Sequence, residues 1–406
     1  MSQNKKHIVL VTTWFPPRKG VAVNRMLAFA KYLSHDKFDI SVVTLQKGKE
    51  PDQENIEGAK VYRLRNNSIL SSIPTEAGEP RIIHNLKVVW NVVLNTITTF
   101  EYSAWMKSAA ELLKTIHLEN KIDVIISSYA PVEAHLAVNI FCKKHPEVKW
   151  IADMRDEMSG NPYISNRIRN FYKKVEIEIN PHVSAVTMAS QSIFKDLIKS
   201  MPMVKYFEEI KNGFDHNIDA QNNFNEVFTI SYAGTFYGDI KPDTFFAGLK
   251  KFISKTKTKI KLRFIGTNRN FNLPEEFEIS SEFYPLLGYS KAIEIIASSD
   301  ATLLVNPKNG RKGVYTGKLF DYVSVMKPII AVVDPEDVAA KLIEEHNAGF
   351  VADFNNINEI EQAILLAYNV WKEKKILSID KAKVAMLHRK YQVKKLEALI
   401  DKLLSK

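Results

Sequence analysis

Two α/β domains, each a doubly wound parallel sheet, are the architecture this sequence predicts, and three observations predict it. Short β-branched runs alternate with stretches of helical spacing along most of the chain. The alternation lapses once, through the polar stretch Asp219–Asn225, and then restarts. The 406 residues, 45% apolar and 25% charged, suit two or three domains of ordinary size with a real core.

Taken in order, Ile8–Thr13 is a continuous β-branched run, and Val21–Ser34 changes to helical spacing through Val23, Met26, Leu27 and Leu33. Ile40–Leu45 returns to a buried-strand pattern. Further strands are expected near Val124–Ser127, Trp150–Met154 and Ala185–Met188, with helices around 104–118, 132–145 and 165–179. Strand, helix, strand at this spacing implies right-handed crossovers and a sheet covered on both faces. Beyond the polar stretch, strands are expected at Phe228–Tyr232, Ile260–Ile265, Ala301–Val305 and Ile329–Val333, with helices at 242–253, 290–298, 318–326, 335–346 and 357–373. The expected domains are residues 1–218 and 226–375. Residues 376–406 end in an amphipathic helix whose stripe, Leu396, Leu399, Ile400 and Leu403, needs a surface to pack on.

Composition excludes several classes. One cysteine, Cys142, rules out an intramolecular disulfide framework and any multi-cysteine metal site. The apolar run after Lys5 and Lys6 is broken by Trp14, Pro16 and Pro17, so it reads as a first strand and not as a signal peptide. Val88–Phe100 is uncharged but falls short of the ~20 residues a membrane span needs. No transmembrane helix is expected, and the cytoplasm is the expected compartment.

In doubly wound folds the loops after strands carry the chemistry. The loop after the first strand, Trp14 to Val21, has Gly20 just before a helix start, which offers backbone N–H groups to an anion. It lacks the Gly-x-Gly-x-x-Gly of a dinucleotide site, so NAD and FAD are not expected. A plain turn explains the loop equally well. Ala233–Pro242 repeats the scheme, with Gly234, Thr235, Lys241 and no Walker A pattern. In Tyr315-Thr316-Gly317-Lys318-Leu319-Phe320-Asp321-Tyr322, a helix starting near Gly317 would aim its amides and Lys318 at a diphosphate, with Asp321 one turn on for a ribose. A solvated Lys–Asp pair is the alternative. Finally, Asp153, Arg155 and Asp156 leave the end of a buried strand, as acid, base or anion-binding groups or as an internal ion pair.

These elements together resemble bacterial glycosyltransferases of the GT-B fold, in the large retaining group called family 4. The matching segments are the opening Ile-Val-Leu-Val-Thr-Thr-Trp-Phe-Pro-Pro with Gly20, Ser127-Ser128-Tyr129-Ala130-Pro131, Ile151–Asp156, Lys211–Asp215, Ala233–Tyr237, and Thr316–Tyr322 with Lys327-Pro328. The resemblance implies two Rossmann-like domains facing an interdomain cleft, the first binding an acceptor and the second a nucleotide-sugar donor of the UDP or GDP type. It implies Lys241 and Lys318 at the donor diphosphate, Asp321 at the ribose and Gly20 near the transferred sugar or diphosphate. Thr235 is a plausible phosphate contact, and backbone around Val314–Thr316, with Tyr315, Thr316 and Gly317, lines the donor site. It further implies that the C-terminal helix crosses back to the first domain. Many such proteins carry a glutamate eight residues before the ribose carboxylate; here that position is Gly313.

No Asp-x-Asp element occurs, and the ten histidines show no His-Glu-x-x-His spacing, so neither metal nor other cofactor is expected and the nucleotide sugar is a substrate. Asp156, ranked before Asp153, is the expected group to orient or deprotonate the acceptor hydroxyl. The formal charge of +10, with Arg167, Arg169, Lys173 and Lys174 around Phe171 and Tyr172 and with Lys87 beside Trp90, suits an anionic membrane surface and a glycan or lipid-linked acceptor. No nucleic-acid recognition pattern accompanies it. The expected function is a glycosyltransferase of cell-surface polysaccharide (capsule or lipopolysaccharide) biosynthesis, peripheral on the inner face of the cytoplasmic membrane. A non-catalytic nucleotide-sugar-binding partner and an epimerase of the same fold are the alternatives.

Overall fold

A strand covered on both faces must be apolar at successive positions, and β1 (Lys6–Val11) meets that requirement: Ile8 and Leu10 enter one core while Val9 and Val11 enter the other. The computed structural model describes residues 5–67, 80, 82–83, 85–87, 90, 101–217, 223–236, 238, 240–267, 269, 271–307 and 312–405. Tyr237, Asp239, residues 219–222 and most of Val88–Phe100 lie outside them. The described chain divides into two units, Met1–Ile210 with Val393–Lys406, and Lys211–Gln392.

The first unit runs β1, α1 (Val21–Tyr32), β2 (Phe38–Gln46), β3 (Gln53–Ile56), β4 (Ala59–Arg65), α2 (Ser103–Glu119), β5 (Val124–Tyr129), α3 (Glu133–Cys142), β6 (Lys149–Met154), α4 (Asn166–Ile179), β7 (Ala185–Met188), α5 (Phe194–Ser200) and β8 (Tyr206–Glu209). Its eight strands lie in the order β3-β4-β2-β1-β5-β6-β7-β8, parallel except for the antiparallel β3–β4 pair. One face packs Trp105, Leu113, Phe141 and Trp150. The other packs Met26 and Phe29 of α1 with Leu396, Leu399, Ile400 and Leu403, so the terminal apolar stripe completes this unit's core. Lys37 pins that segment through Glu397 at 2.7 Å and Asp401 at 3.2 Å.

The second unit runs β9 (Phe228–Ala233), α6 (Asp243–Thr256), β10 (Ile260–Ile265), α7 (Glu275–Glu278), β11 (Ser281–Tyr284), α8 (Tyr289–Ala297), β12 (Ala301–Val305), α9 (Gly317–Ser324), β13 (Ile329–Val333), α10 (Val338–Glu345), β14 (Gly349–Asp353), α11 (Ile357–Lys372), α12 (Lys381–Ala385) and α13 (Arg389–Leu404), the last continuing into the first unit at Val393. Its six strands are all parallel, in the order β11-β10-β9-β12-β13-β14. Numbered from its own first strand, that order is 3-2-1-4-5-6, and it reverses between β9 and β12. Ile329, Ala331 and Val333 face one core, and Ile330 and Val332 the other.

The chain enters and leaves the second unit through paired segments. Phe214 N–H donates to the Leu387 carbonyl, Arg389 N–H returns to the Phe214 carbonyl at 2.9 Å, and Lys211 N–H donates to Gln392 Oε1 at 2.9 Å. Gly213 sits at φ +59°, where a Cβ would strike the Leu387 carbonyl. The polar stretch read as a linker therefore lies inside the second unit, and Lys327 Nζ donates to the Asn223 carbonyl in it at 3.0 Å.

Leu396 is fully buried in the first core. Leu396→Ala is expected to lower the free energy of unfolding by about 2–5 kcal/mol, measured by urea titration. A loss of a few tenths would mean the stripe is not a core element.

Candidate functional site

The strand-order reversal in the second unit parts the loops after β9 and β12, and the candidate residues Gly234, Lys318 and Asp321 stand there. Helix α9 begins at Gly317 with Thr316 at its N-cap; no side chain caps it, and its first turn has no acidic residue. Leu319 N–H turns back to the Thr316 carbonyl at 3.1 Å, which leaves the Gly317 and Lys318 N–H groups to face an anion. Lys318, in that first turn, lies 4.0 Å from the centroid of the Tyr232 ring and donates to the Tyr232 hydroxyl at 2.7 Å. Tyr232 in turn donates to the Thr235 carbonyl at 3.3 Å and stacks on Phe236 with ring centroids 4.0 Å apart. Gly234, at φ +100°, has a backbone conformation that favours glycine, and it lies beside the lysine: a Cβ there would sit in ordinary contact with Nζ at 3.5 Å. Among the described residues Lys318 has no ion-pair partner, and burial brings its pKa down to about 7.

One turn further on, burial pushes the Asp321 carboxyl up to about 6, opposed by the Tyr289 hydroxyl and by Arg389. Tyr289 donates to Asp321 Oδ1 at 2.6 Å. Tyr315 packs against Phe320 and under Lys211. Thr235 is half-buried, and Lys241 is exposed and without an ion pair among the described residues. Gly313, at φ +88°, donates its N–H to Asp337 Oδ1 at 2.6 Å, which ties the loop to the start of α10. That backbone conformation favours glycine, a physical reason for the residue where similar proteins carry glutamate. Tyr232, Tyr289 and Asp337 escape sequence reading. Tyr232 merges with an apolar strand run, and the other two reach the site only through the fold.

In the first unit the order reverses at β1, between β2 and β5. Gly20, at φ +133° with open space around its Cα, is the N-cap of α1, which also lacks a side-chain cap and an acidic first turn. Arg18 lies over the Trp14 ring at 4.4 Å and donates to the Thr13 carbonyl. Asp153 and Asp156, three residues apart, have opposite surroundings. Burial would raise the Asp153 carboxyl, but the Arg25 guanidinium and the Thr187 and Ser128 hydroxyls outweigh it and hold the pKa below the usual value. Arg25 Nη2 meets Oδ1 at 2.6 Å, Nε meets Oδ2 at 3.0 Å, and each hydroxyl donates at 2.8 Å. Asp156 is half-buried in the loop beyond β6 and pairs with Arg155 Nε at 3.1 Å.

Among the described residues one trio, His117, His145 and Glu147, comes close enough to hold a cation. His117 Nδ1 accepts the Ile122 N–H at 3.2 Å, so the ring's remaining proton sits on Nε2, the nitrogen that faces Glu147. The trio belongs to the first unit and includes none of the residues expected at a donor site.

No family model matches the sequence, and no curated protein matches it by sequence. Solved structures do match. A glycosyltransferase from Rickettsia africae aligns over all of both chains with a TM-score of 0.64 at 14% identity. Sucrose-phosphate synthase from Thermosynechococcus elongatus aligns with 99% of this chain and 100% of its own, TM-score 0.64, 12% identity. HepE of Anabaena, in complex with UDP and glucose, aligns over 99% and 100%, TM-score 0.60, 14% identity. The architecture of two parallel-sheet, Rossmann-like units is thus the GT-B fold of glycosyltransferases.

Asp153→Asn leaves the Arg25 guanidinium buried against a neutral partner. It is expected to cost about 3–5 kcal/mol of unfolding free energy, read by denaturant titration, so that any loss of function comes with a loss of stability. An unchanged midpoint would return Asp153 to the list of functional carboxylates.

Proposed function

We propose that this chain is a retaining glycosyltransferase that moves a sugar from a nucleoside-diphosphate donor of the UDP or GDP type to a glycan or lipid-linked acceptor of cell-surface polysaccharide synthesis. The observation that carries the reading is Lys318, a half-buried ammonium without a carboxylate partner among the described residues, in the first turn of an uncapped helix at the strand-order reversal. The likeness in fold to HepE, which binds UDP and glucose, supports a nucleotide sugar as the ligand.

The bond from the sugar's anomeric carbon to the diphosphate oxygen breaks, and negative charge grows on the leaving group. Lys318, the α9 amides and Lys241 are the groups we assign to that charge, in place of an Asp-x-Asp metal chelate that the sequence lacks. Asp321 takes the ribose. Gly20 lets the start of α1 approach the sugar or diphosphate. A new bond forms from the anomeric carbon to the acceptor oxygen, whose single proton passes to the leaving phosphate or, where a carboxylate base acts, to Asp156. We assign Asp156 to orient or deprotonate that hydroxyl, ahead of Asp153, whose carboxylate is held by Arg25, Ser128 and Thr187. Around Val314–Thr316, backbone groups stand in for the side chain that Gly313 lacks.

Among the described residues no helix is long and apolar enough to cross a membrane. Exposed Tyr163, Ile177, Arg167, Lys173 and Lys174 on and beside α4 support peripheral contact with an anionic bilayer at the cytoplasmic face.

A panel of UDP- and GDP-sugars incubated with extracted lipid-linked glycans tests the reading. Acceptor-dependent release of the nucleoside diphosphate is expected. Binding without release would favour a non-catalytic partner, and conversion of the donor sugar without an acceptor would favour an epimerase. Lys318→Ala is expected to weaken donor binding by about 1.5–3 kcal/mol, roughly 10- to 150-fold, and to slow turnover as well. Equal affinities in calorimetry would remove Lys318 from the donor site.

A further inference from the structure

The ribose carboxylate does not stand alone. Tyr289, 39% exposed at the start of α8, donates to Asp321 Oδ1, and its oxygen also receives the Asp215 N–H at 3.4 Å and lies 3.0 Å from His216 Nδ1. His216 Nε2 lies 2.8 Å from Ser324 Oγ, and that hydroxyl lies 2.7 Å from the Asp321 carbonyl. The circuit therefore leaves Asp321 by its carboxyl and returns to it by its backbone.

Each hydroxyl in this circuit has one proton, and burial pushes the His216 pKa down to about 4, so the ring is neutral and also carries one. Two arrangements follow. With Asp321 ionised, Ser324 donates to Nε2, Nδ1–H donates to the tyrosine oxygen, and Tyr289 donates to the carboxylate. With Asp321 protonated, those three bonds reverse and a fourth forms: the carboxyl donates to Tyr289, Tyr289 to Nδ1, Nε2–H to Ser324, and Ser324, its proton freed, to the Asp321 carbonyl. Only the first offers the ribose hydroxyls a charged acceptor, and charge-assisted bonds are the stronger kind.

We infer that Tyr289 and His216 are positioning residues of the donor site, which hold Asp321 ionised and leave its second oxygen to the ribose hydroxyls. This rests on the nucleotide-binding reading above and adds how the ribose is read. The groups facing Asp321 are Tyr289 from α8 and Arg389 from α13, with Asp215, His216 and Ser324 behind the tyrosine and His388 beside Asp215 at 3.8 Å. Removing the tyrosine hydroxyl takes away a bond that favours the ionised form. The carboxyl then protonates at higher pH, and nucleotide binding is lost sooner as pH falls.

Calorimetric titration of UDP and of GDP into the full chain, from about pH 5.5 to 8.5, tests this. In the parent, affinity for the better nucleotide is expected to fall below about pH 6. In Tyr289→Phe that acid limb should move up by about one pH unit, with affinity several-fold lower near pH 6.5 and close to parental near pH 8.5. His216→Ala should behave likewise, while His216→Asn, whose amide can replace the Nδ1 donor, should recover most of the shift. In an Asp321→Asn background, Tyr289→Phe should move nothing. A loss in Tyr289→Phe that is equal at every pH would make the tyrosine merely structural, and parental behaviour would remove it from the site; either result overturns the inference. A parent chain that binds neither nucleotide overturns the functional reading itself, a separate outcome.

Discussion

A parallel strand can be reached only by a crossover, and that constraint organises the whole molecule. Each unit lays its first strand in the middle of its sheet and then winds outward in both directions, from β1 and from β9. Where the winding reverses, neighbouring loops leave on opposite faces and a crevice opens at the carboxyl ends of the strands. Gly20 and Arg18 stand at one such place, and Gly234, Lys318 and Asp321 at the other. The chemistry follows from where the chain turns.

The second crevice has an electrostatic character that its residues explain. Lys318 is turned onto the face and hydroxyl of Tyr232, so a neutral ring and a neutral oxygen stabilise the ammonium, and among the described residues no carboxylate does so. Such a partner satisfies geometry while leaving the charge uncompensated, and burial then eases the proton off. Asp321, in the same helix, meets the opposite demand from a tyrosine that donates. A strong salt bridge between these two groups would have neutralised both. Instead each is held by a phenol and stays available to a ligand. In the first unit Asp153 shows the contrasting solution, since five donor contacts consume its carboxylate in the interior.

Much of this was legible in the sequence, for physical reasons that also mark the limit. Central strands such as β1, β12 and β13 are buried on both faces and leave largely apolar runs, while β10 alternates apolar residues with Lys261 and Arg263 and keeps a strand period of two. The edge strands β3, β8 and β11 have few buried positions, and their short mixed patterns went unread. The terminal stripe predicted that a surface was needed, and the core of the first unit supplies it. Lys318 and Asp321 stood out because their loop carries glycine, cation and carboxylate in one turn. Tyr232 and Tyr289 did not, because they lie 86 and 32 residues from the side chains they hold. Gly313 looked like a missing glutamate until its positive φ and its bond to Asp337 gave the loop a backbone logic of its own.

The central claim is that Lys318 waits partly deprotonated for a diphosphate. With burial holding its pKa at about 7, most of this group is neutral near pH 8, and an arriving diphosphate should restore its charge. Calorimetry of UDP and GDP binding at about pH 8, in Tris and in HEPES, measures the protons taken up from the difference in buffer heat. The account expects uptake approaching one proton in the parent chain and almost none in Lys318→Ala. Binding with no proton uptake, or with the same uptake in both proteins, would contradict it.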